Sequence, residues 1–504
     1  MINLSSFIAF HARLRGDSTA FVHDGQAVSY AAFDTRIART GAWLRERGLG
    51  AGDVVAVLMK NSPAFLDIAF AVSHIGAVFL PLNFRLAADE IAYILDDAGA
   101  RLLLADEEFA GRVPAGCEAV LLDTALQADA SALAPAGLAP AAMTVRDPQH
   151  PMRLMYTSGT TDRPKGVLHS YQNFYWKCMD HVIGLDLRPD ARLLVVGPLY
   201  HVGAFDLPGM AVLWRGGMLC LHRDFEPAAV LASIQAHRLD CAWLAPVMTS
   251  QLLALPDRER YDVSSLRWVI GGGEKTPEAR IREFGAYFRN ARYIDGYGLT
   301  ESCSGDTLME AGRELEKIGS TGRALPHVEL EIRDEAGAAL APHEEGEICL
   351  RGARITQGYW NAPDKNAASF FEGGWFRTGD VGYLDDEGFL YLTDRKKDMI
   401  ISGGENIASS EVERVIYELP QVAECAVIGV PDERWGERPE AVVTLRPGTT
   451  LDLETLQRHC REHLAGFKLP KALHQIQALP RNPSGKVLKR VLREQFAAAP
   501  QGEA

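Results

Sequence analysis

Hydrophobic residues in the first 122 positions occur either at helical spacing or in short, continuous apolar runs. The runs VVAVLMK and ARLLLAD have the length and composition of buried strands, and FLDIAFAVSHIGAVFLPLN predicts a helix followed by a strand. This alternation favours an α/β layer structure. Residues 123–149 are rich in Ala, Pro and Asp, which predicts a surface connector.

A unit of strand, glycine-bearing turn and helix then occurs three times. Its copies are RLMYT followed by SGTTDRPKG, LRWVI followed by GGGEKTPEA, and RYIDG followed by YGLTES. In open α/β sheets, ligands bind beyond the carboxyl ends of the strands, where such turns converge. Three polar strand ends in one region therefore predict a composite binding site.

The apolar pattern changes to period two after residue 327. HVELEIRD, GEICLRG, GWFRTGDVGYL and GFLYLTD are typical of a β-meander or small barrel. Beyond DRKKDMIISGG, helical and strand patterns alternate again and predict a small α+β unit that ends in a basic helix. We therefore expect a large N-terminal domain of layered α/β subdomains plus a small β-barrel over residues 1–394, and a smaller, mobile α+β domain over residues 395–504.

Composition restricts the class of protein. The chain has 504 residues, too many for one compact core. Its net charge of −14 opposes general nucleic-acid binding, so any anion site must depend on local basic residues. The eight cysteines form no CxxC pair, which predicts reduced core residues. We find neither the apolar run of a signal peptide nor that of a membrane span, and a cytoplasmic location is the default expectation.

The loop YTSGTTDRPKGV at residues 156–167 is suited to phosphate. Hydroxyl groups and glycine-exposed backbone N–H groups can chelate phosphate oxygens, and a lysine adds positive charge. The loop differs from a Walker phosphate loop, because Lys165 is followed by Gly and Val instead of Ser or Thr. The residues of this predicted phosphate loop are Thr157, Ser158, Gly159, Thr160, Thr161 and Lys165.

This loop resembles the signature of the adenylate-forming superfamily, which includes acyl-CoA synthetases, aryl-CoA ligases, luciferases and peptide-synthetase adenylation domains. Further stretches resemble the family in its order: PLYHVGAF, IGGGEK, GYGLTES, GWFRTGD, DRKKDMIISGGENI, GVPDERWGE and NPSGKVLKR. The resemblance spans nearly the whole chain and is closest to bacterial fatty-acid or feruloyl-type acyl-CoA synthetases. Asp162 stands where the family most often has glycine; Asp also tolerates a left-handed turn.

The resemblance implies ATP, Mg²⁺ and CoA as ligands and assigns roles to the motifs. Tyr297 matches the aromatic residue that packs against adenine, Thr300 the residue that holds the α-phosphate, and Glu301 the Mg²⁺ ligand. Asp380 and Arg395 match the residues that contact ribose. The glycine-rich stretches supply the remaining nucleotide-binding residues: Gly272, Gly273, Glu274, Gly296 and Gly298.

The C-terminal part matches the family's mobile catalytic elements. Lys486 matches the lysine that stabilises attack of a carboxylate on the α-phosphorus of ATP. Lys397 falls at the hinge about which the small domain rotates before thioester formation. The positions that match CoA contacts are Gly403, Gly404, Trp435, Phe467 and Lys468. Leu469 replaces an arginine that some CoA ligases carry, so the contacts to the CoA phosphates are left open.

His201 in PLYHVGAF bears on the substrate. Amino-acid-activating relatives carry an aspartate near this position, whereas a histidine resembles the acyl- and aryl-CoA ligases, in which it flanks the carboxylate pocket. Phe205, Val247 and Met248 are apolar candidates for that pocket, which favours a hydrophobic acid. We therefore predict an acid–CoA ligase that acts through an acyl-adenylate. A homodimer is compatible with this prediction.

Two alternatives remain open at this point. One is a stand-alone adenylating enzyme that loads a carrier-protein thiol. The other is a non-catalytic nucleotide-binding relative, which the unusual Asp162 suggests and which the retained Glu301, Asp380, Arg395 and Lys486 oppose.

Overall fold

The computed structural model describes residues 3–157, 164–271, 278–395, 398–402, 405–432, 435–481 and 487–497. The chain divides into two compact units. The first contains residues 1–330 and 350–376, and the second contains residues 331–349 and 377–504. A mixed α/β fold with a large N-terminal part and a smaller C-terminal part is thereby confirmed. The predicted boundary at residue 394 and the mobility of the smaller part stay predictions.

Helices occur throughout both units. The α-helices of the first unit are α1 Ser5–Arg15, α2 Tyr30–Glu46, α3 Pro63–His74, α4 Ala88–Ala98, α5 Thr124–Ala128, α6 Tyr171–Gly184, α7 Val202–Ala204, α8 Ala211–Arg215, α9 Pro227–His237, α10 Pro246–Ala254, α11 Glu278–Tyr287 and α12 Pro363–Ala368. Those of the second unit are α13 Ser409–Ile416, α14 Leu453–Arg461 and α15 Lys489–Ala497. Within the described residues, none of these helices has both the length and the apolar character needed to cross a bilayer.

Two large sheets form the first unit. The strands of the six-stranded sheet, in spatial order, are β6 Ala119–Leu122, β5 Ala100–Asp106, β3 Val54–Leu58, β4 Val78–Pro81, β7 Pro151–Thr157 and β8 Lys165–Ser170. Those of the nine-stranded sheet are β15 Arg323–Ala324, β14 Thr307–Leu308, β13 Arg292–Tyr297, β12 Trp268–Gly271, β11 Cys241–Leu244, β9 Arg192–Val195, β10 Met218–Leu221, β1 Thr19–His23 and β2 Gln26–Ser29. Both have a parallel centre, as the alternating pattern predicts.

Two smaller sheets contain the later strands. One has the order β16 Glu329–Arg333, β17 Gly346–Arg351, β19 Trp375–Leu384 and β18 Phe370–Phe371, with β20 Leu390–Arg395 paired to β19. The other has the order β22 Glu405–Ile407, β21 Ile400–Ser402, β24 Gly436–Leu445 and β23 Val422–Asp432, with β25 Leu473–Gln475 on β24. The period-two segments are thus confirmed as strands.

Each unit has its own apolar core. In the nine-stranded sheet, side chains of the parallel strands pack against α9, α10 and α11. In the second unit, α13 and α14 cover one face of the β23–β24 pair, and α15 covers the other. All eight cysteines are free thiols, and seven of them are buried, as predicted for reduced core residues.

The connector at residues 123–149 contains short helical turns. It forms α5 and a 3-10 turn at Ala130–Leu133, and Ala130 is fully buried. Asp67 of α3 accepts a hydrogen bond from the Ala130 N–H at 3.2 Å, and Arg36 donates to the Ala128 carbonyl at 2.9 Å. Only Ala130, Ser131 and Ala134 of this segment are buried, so the predicted surface connector is confirmed, and side chains of α2 and α3 hold its backbone in place.

Asp67 makes the stability of this region depend on pH. Burial raises the pKa of Asp67 to about 7 from its ordinary 3.8, although Arg36 opposes the shift. An acid whose pKa is higher in the folded state loses stabilising free energy as pH rises through that value. Between pH 5 and 8, we expect Asp67 to reduce the free energy of unfolding by about 2–3 kcal/mol.

Asp67→Asn should remove this dependence. The free energy of unfolding of the variant, relative to that of the wild type, should therefore be higher at pH 8 than at pH 5. Urea unfolding of both proteins at the two pH values measures the difference. The control is Asp129→Asn, which removes a more exposed carboxylate bound to the same guanidinium at 3.3 Å. Equal pH dependence in the wild type and in Asp67→Asn would contradict the assignment.

Candidate functional site

The predicted phosphate loop joins the antiparallel strands β7 and β8. Thr157 pairs with Lys165 at the open end of this hairpin. The Tyr156 hydroxyl bonds the Asp97 carboxylate at 2.5 Å, and the Gly166 carbonyl accepts a hydrogen bond from the Trp360 N–H at 2.7 Å. The two strands that carry the loop are thereby held from both sides. Ser158, Gly159, Thr160 and Thr161, together with Asp162, lie outside the described residues.

An open cleft of about 500 Å³ lies beside the hairpin. Its lining includes Lys165 and Lys365, and Lys365 also lies over the ring of Tyr359 at 5.1 Å from the centroid. Asp364 also lines the cleft and offsets one of the two ammonium charges; the remaining positive charge favours an anionic ligand.

The glycines of GYGLTES allow close backbone approach. A Cβ atom on Gly298 would lie 2.2 Å from the Gly305 nitrogen, and one on Gly296 would lie 2.9 Å from a Leu308 methyl group. Side chains at these positions would therefore displace the turn after β13. Tyr297 lies between them and is buried. Gly272, Gly273 and Glu274, which follow β12, lie outside the described residues.

Thr300 and Glu301 begin a 3-10 turn directly after β13. The Glu301 Oε1 atom accepts a hydrogen bond from the Tyr359 hydroxyl at 2.9 Å, and the Glu301 carbonyl accepts one from the Thr356 N–H at 2.7 Å. Burial and the Glu301 charge raise the pKa of Tyr359, so that its hydroxyl stays a donor. The structure thus orients the predicted metal-binding carboxylate.

One segment, residues 353–360, connects this turn to the hairpin. Thr356 bonds Glu301 through its N–H, whereas its hydroxyl donates to the Leu168 carbonyl of β8 at 2.6 Å. Leu168 in turn donates its N–H to the Gly358 carbonyl at 3.1 Å. Two predicted site elements that are more than 130 positions apart in sequence therefore lie against the same segment.

A fully buried ionic cluster lies beneath the turn. Arg153 binds the Asp206 carboxylate through two hydrogen bonds of 3.2 and 2.7 Å, and the Lys177 ammonium lies 3.1 Å from the same carboxylate. Burial alone would raise the pKa of Asp206, but the Arg153 and Lys177 charges lower it to about 2. The acid is therefore ionised throughout the physiological pH range.

His169 connects this cluster to Thr300 by hydrogen bonds. Burial and the Arg153 charge lower the pKa of His169 to about 3, so its ring is neutral. Its Nδ1 atom accepts hydrogen bonds from Arg153 at 2.9 and 3.1 Å, which requires that Nε2 carries the proton. The Nε2–H group donates to the Thr300 carbonyl at 2.6 Å. The Thr300 carbonyl is thus held by the Nε2–H group of His169, and the contact with Arg153 determines that this nitrogen carries the proton.

Arg354 binds the other end of the turn. It donates to the carbonyls of Ser302 and Ser304 and lies 3.1 Å from the Asp180 carboxylate. Asp306, whose pKa burial raises to about 6 against the opposing Arg354 charge, lies 3.7 Å from the same guanidinium. No local sequence pattern indicates this network.

His201 lies at the start of α7, where its Nδ1 atom accepts a hydrogen bond from the Gly203 N–H at 3.1 Å. The loop before it is held by the buried Asn61, whose amide donates to the Gly197 carbonyl and accepts from the Leu199 N–H. Sequence reasoning missed Asn61; its one signal was a polar residue between the apolar β3 and the Ser-Pro start of α3.

The apolar candidates for the acid pocket have different environments. Phe205 is buried and packs against Phe65 and Phe79, with ring centroids 6.2 and 6.3 Å away. Val247, at the start of α10, is 56% exposed, and Met248 is partly buried. Phe205 therefore belongs to the hydrophobic core, whereas Val247 is accessible to a ligand.

The second unit contains the remaining predicted residues. Asp380 of β19 is buried and pairs with Arg395 of β20 through the backbone. Trp435 and Phe467 are 46% and 40% exposed, respectively. Lys468 binds both oxygens of Glu411, at 2.6 and 2.9 Å. Lys397, Gly403, Gly404 and Lys486, as well as the Arg395 side chain, lie outside the described residues.

The strength of the Arg354 network can be tested by substitution. Arg354→Met removes the cation that Asp180 and Asp306 share in the interior. We expect the free energy of unfolding of the first unit to fall by about 3–5 kcal/mol, because two buried carboxylates lose the cation that they share. Denaturant unfolding measures the change.

Arg351→Met is the matched control. Arg351 lies three positions earlier, is partly exposed, pairs with the exposed Glu329 and lies over the Trp375 ring at 4.5 Å from the centroid. Loss of this ion pair and ring contact should cost at most about 1–2 kcal/mol. Similar losses in the two variants would show that the buried network contributes little.

Comparison with known proteins identifies the family. Residues 8–360 match the model of the AMP-binding enzymes, and residues 411–486 match that of the AMP-binding enzyme C-terminal domain. The chain is 38% identical to a feruloyl-CoA synthase from Amycolatopsis over 499 residues, which cover 98% of this chain and 99% of the relative. It is 36% identical to the long-chain-fatty-acid–CoA ligase FadD13 of Mycobacterium tuberculosis, over 94% of this chain and 93% of that enzyme.

A solved structure resembles the whole fold. The o-succinylbenzoate-CoA synthetase MenE of Bacillus subtilis, in complex with its acyl-adenylate intermediate, superposes with a TM-score of 0.88 at 30% identity. The similarity covers 100% of this chain and 99% of that enzyme. The same enzyme in complex with ATP and a magnesium ion gives a TM-score of 0.84 over 96% of this chain and 98% of that enzyme, again at 30% identity.

Proposed function

Because the chain belongs to the AMP-binding enzyme family and is an acid–CoA ligase of that family, we propose that it activates a hydrophobic carboxylic acid of the fatty or aryl type. ATP and the acid form an acyl-adenylate with release of pyrophosphate, and CoA then takes the acyl group as a thioester. The observation that carries the proposal is the segment at residues 353–360, which bonds both the hairpin of Lys165 and the turn of Thr300 and Glu301.

Nucleotide binding is assigned to residues of both units. In the first unit, the loop from Thr157 to Lys165 takes the phosphates, and the Thr300 hydroxyl binds the α-phosphate. In the second, Asp380 and Arg395 contact the ribose. Backbone N–H groups, hydroxyl groups and an ammonium group are the donors that phosphate oxygens require. The cleft lined by Lys165 and Lys365 supports this assignment.

Glu301 fits a magnesium ion. Mg²⁺ prefers oxygen ligands and is commonly held by one or two carboxylates together with substrate phosphates. The Tyr359 hydroxyl fixes one oxygen of Glu301, which orients the carboxylate. When bound, Mg²⁺ neutralises phosphate charge and so assists the approach of a carboxylate nucleophile.

The carboxylate of the acid must approach the negatively charged α-phosphate of ATP. In this proposal, His201 flanks the acid's carboxylate, Val247 and Met248 contact its apolar part, and Lys486 stabilises the charge that develops at the α-phosphorus. Rotation about Lys397 then replaces Lys486 by the CoA-binding residues Gly403, Gly404, Trp435, Phe467 and Lys468. The high exposure of Trp435 and Phe467 supports their availability for a ligand. A cytoplasmic location and a homodimer remain predictions; sedimentation analysis tests the latter.

A substrate screen tests the proposed reaction. Purified protein is supplied with ATP, Mg²⁺ and one fatty, cinnamic or benzoic acid at a time, with and without CoA, and pyrophosphate and thioester are measured. We expect at least one hydrophobic acid to give CoA thioester. Adenylation without transfer to free CoA would instead favour a carrier-protein thiol as acceptor, and no pyrophosphate with any acid would contradict the proposal.

Lys486→Ala should separate the two half-reactions. Loss of a buried charge-assisted contact commonly costs about 3–5 kcal/mol, so adenylation should slow by roughly two to four orders of magnitude. Conversion of supplied acyl-AMP and CoA to thioester should stay near the wild-type rate. Lys489→Ala is the control, because Lys489 pairs with Glu413 at 2.8 Å and has no role in the proposal. Equal loss of both half-reactions in Lys486→Ala would contradict its assigned role.

A further inference from the structure

Three metal-ligating side chains converge in the second unit, among residues to which the proposed reaction assigns no role. Glu418 follows the C-terminal end of α13, His459 lies in α14, and His463 lies two residues beyond the end of α14. One ligand atom from each side chain lies within 4.8 Å of the other two. We call these residues the His-Glu cluster.

The geometry of the cluster fits an ion between its side chains. The Nε2 atoms of His459 and His463 each lie 3.9 Å from the Oε2 atom of Glu418. This separation is too long for a hydrogen bond. It is close to the upper limit for two ligands that each bind the same Zn²⁺ at about 2.0–2.2 Å. Small rotations of these partly exposed side chains would complete the coordination.

The neighbouring groups allow the ion to bind. Arg414 faces the other oxygen of the Glu418 carboxylate, Oε1, at 3.9 Å. The Nε2 atom of His459 now lies 3.0 Å from the Val415 carbonyl, a hydrogen bond that coordination would replace. That carbonyl also accepts the Glu418 N–H at 3.2 Å, so it would keep a hydrogen bond.

We propose that the His-Glu cluster binds a divalent transition-metal ion, with Zn²⁺ as the best match. Imidazole nitrogens suit zinc, copper and nickel, whereas Mg²⁺ prefers a set made wholly of oxygen ligands. Three protein ligands leave a fourth position for water. The ion joins α13 to α14 across the chain between residues 418 and 459, and binding therefore stabilises the second unit. This site is independent of the proposed ligase reaction.

Zinc titration of the full-length protein tests the proposal. After treatment with EDTA and its removal, calorimetry with Zn²⁺ should show one saturable site, and Zn²⁺ should raise the unfolding temperature until EDTA is added again. His463→Ala and Glu418→Gln should each weaken the site by at least about tenfold, since even outer-shell changes cost that much at metal sites. An excess of Mg²⁺ should leave Zn²⁺ bound.

The control variant is His343→Asn, which alters a histidine–carboxylate pair of the same unit. His343 lies 3.2 Å from Asp386, and Asn tolerates the left-handed backbone at this position. This variant should bind Zn²⁺ as the wild type does. Absence of saturable binding in the wild type, or equal binding in the wild type, His463→Ala and Glu418→Gln, would overturn the proposal.

Discussion

The ion pair between Arg153 and Asp206 is the constraint on which the candidate site depends. It lies in the interior, where separating the two charges would leave each of them without solvent. Arg153 also donates to His169, and this determines which ring nitrogen of His169 carries a proton. That proton binds the Thr300 carbonyl, so the backbone next to the predicted metal ligand is set by an electrostatic contact outside the ligand site. Arg354 repeats the arrangement at Ser302 and Ser304.

These buried charges help to explain how a short 3-10 turn and the loop after it are placed accurately. The segment Thr300–Asp306 consists of small and polar residues, and its backbone N–H groups at Cys303, Ser304 and Asp306 bond carbonyls of residues 297–300. Its carbonyls also accept hydrogen bonds from His169 and Arg354, which belong to rigid elements or are bound to them. Sites supported in this way hold their geometry better than sites on isolated loops.

The motifs of the site could be predicted from the sequence, whereas the buried charged residues that hold these motifs in place could not. Short motifs such as SGTT and GYGLTES have a recognisable composition; SGTT follows β7, and GYGLTES begins in the last two residues of β13. The supporting residues are single charges inside apolar segments: Arg153 in PMRLMY, Lys177 in YWKCM and Asp206 in GAFDLP. Each signals a buried partner, but the partners are 29 and 53 positions apart, and no local pattern specifies which charge meets which. The connector at residues 123–149 lies at the surface as predicted, but its contacts with Arg36 and Asp67 could not be predicted, since both lie far from it in sequence.

Asn61 places one primary amide between the two large sheets. It follows β3 of the six-stranded sheet and bonds the chain just beyond β9 and β10 of the nine-stranded sheet. The Leu199 N–H is buried, and its acceptor is the Asn61 side chain at 2.8 Å. Exchange of this amide hydrogen with solvent therefore requires that the Asn61 contact opens. The exchange rate at Leu199 thus reports the free energy of opening this contact between the two sheets, at the loop that carries His201.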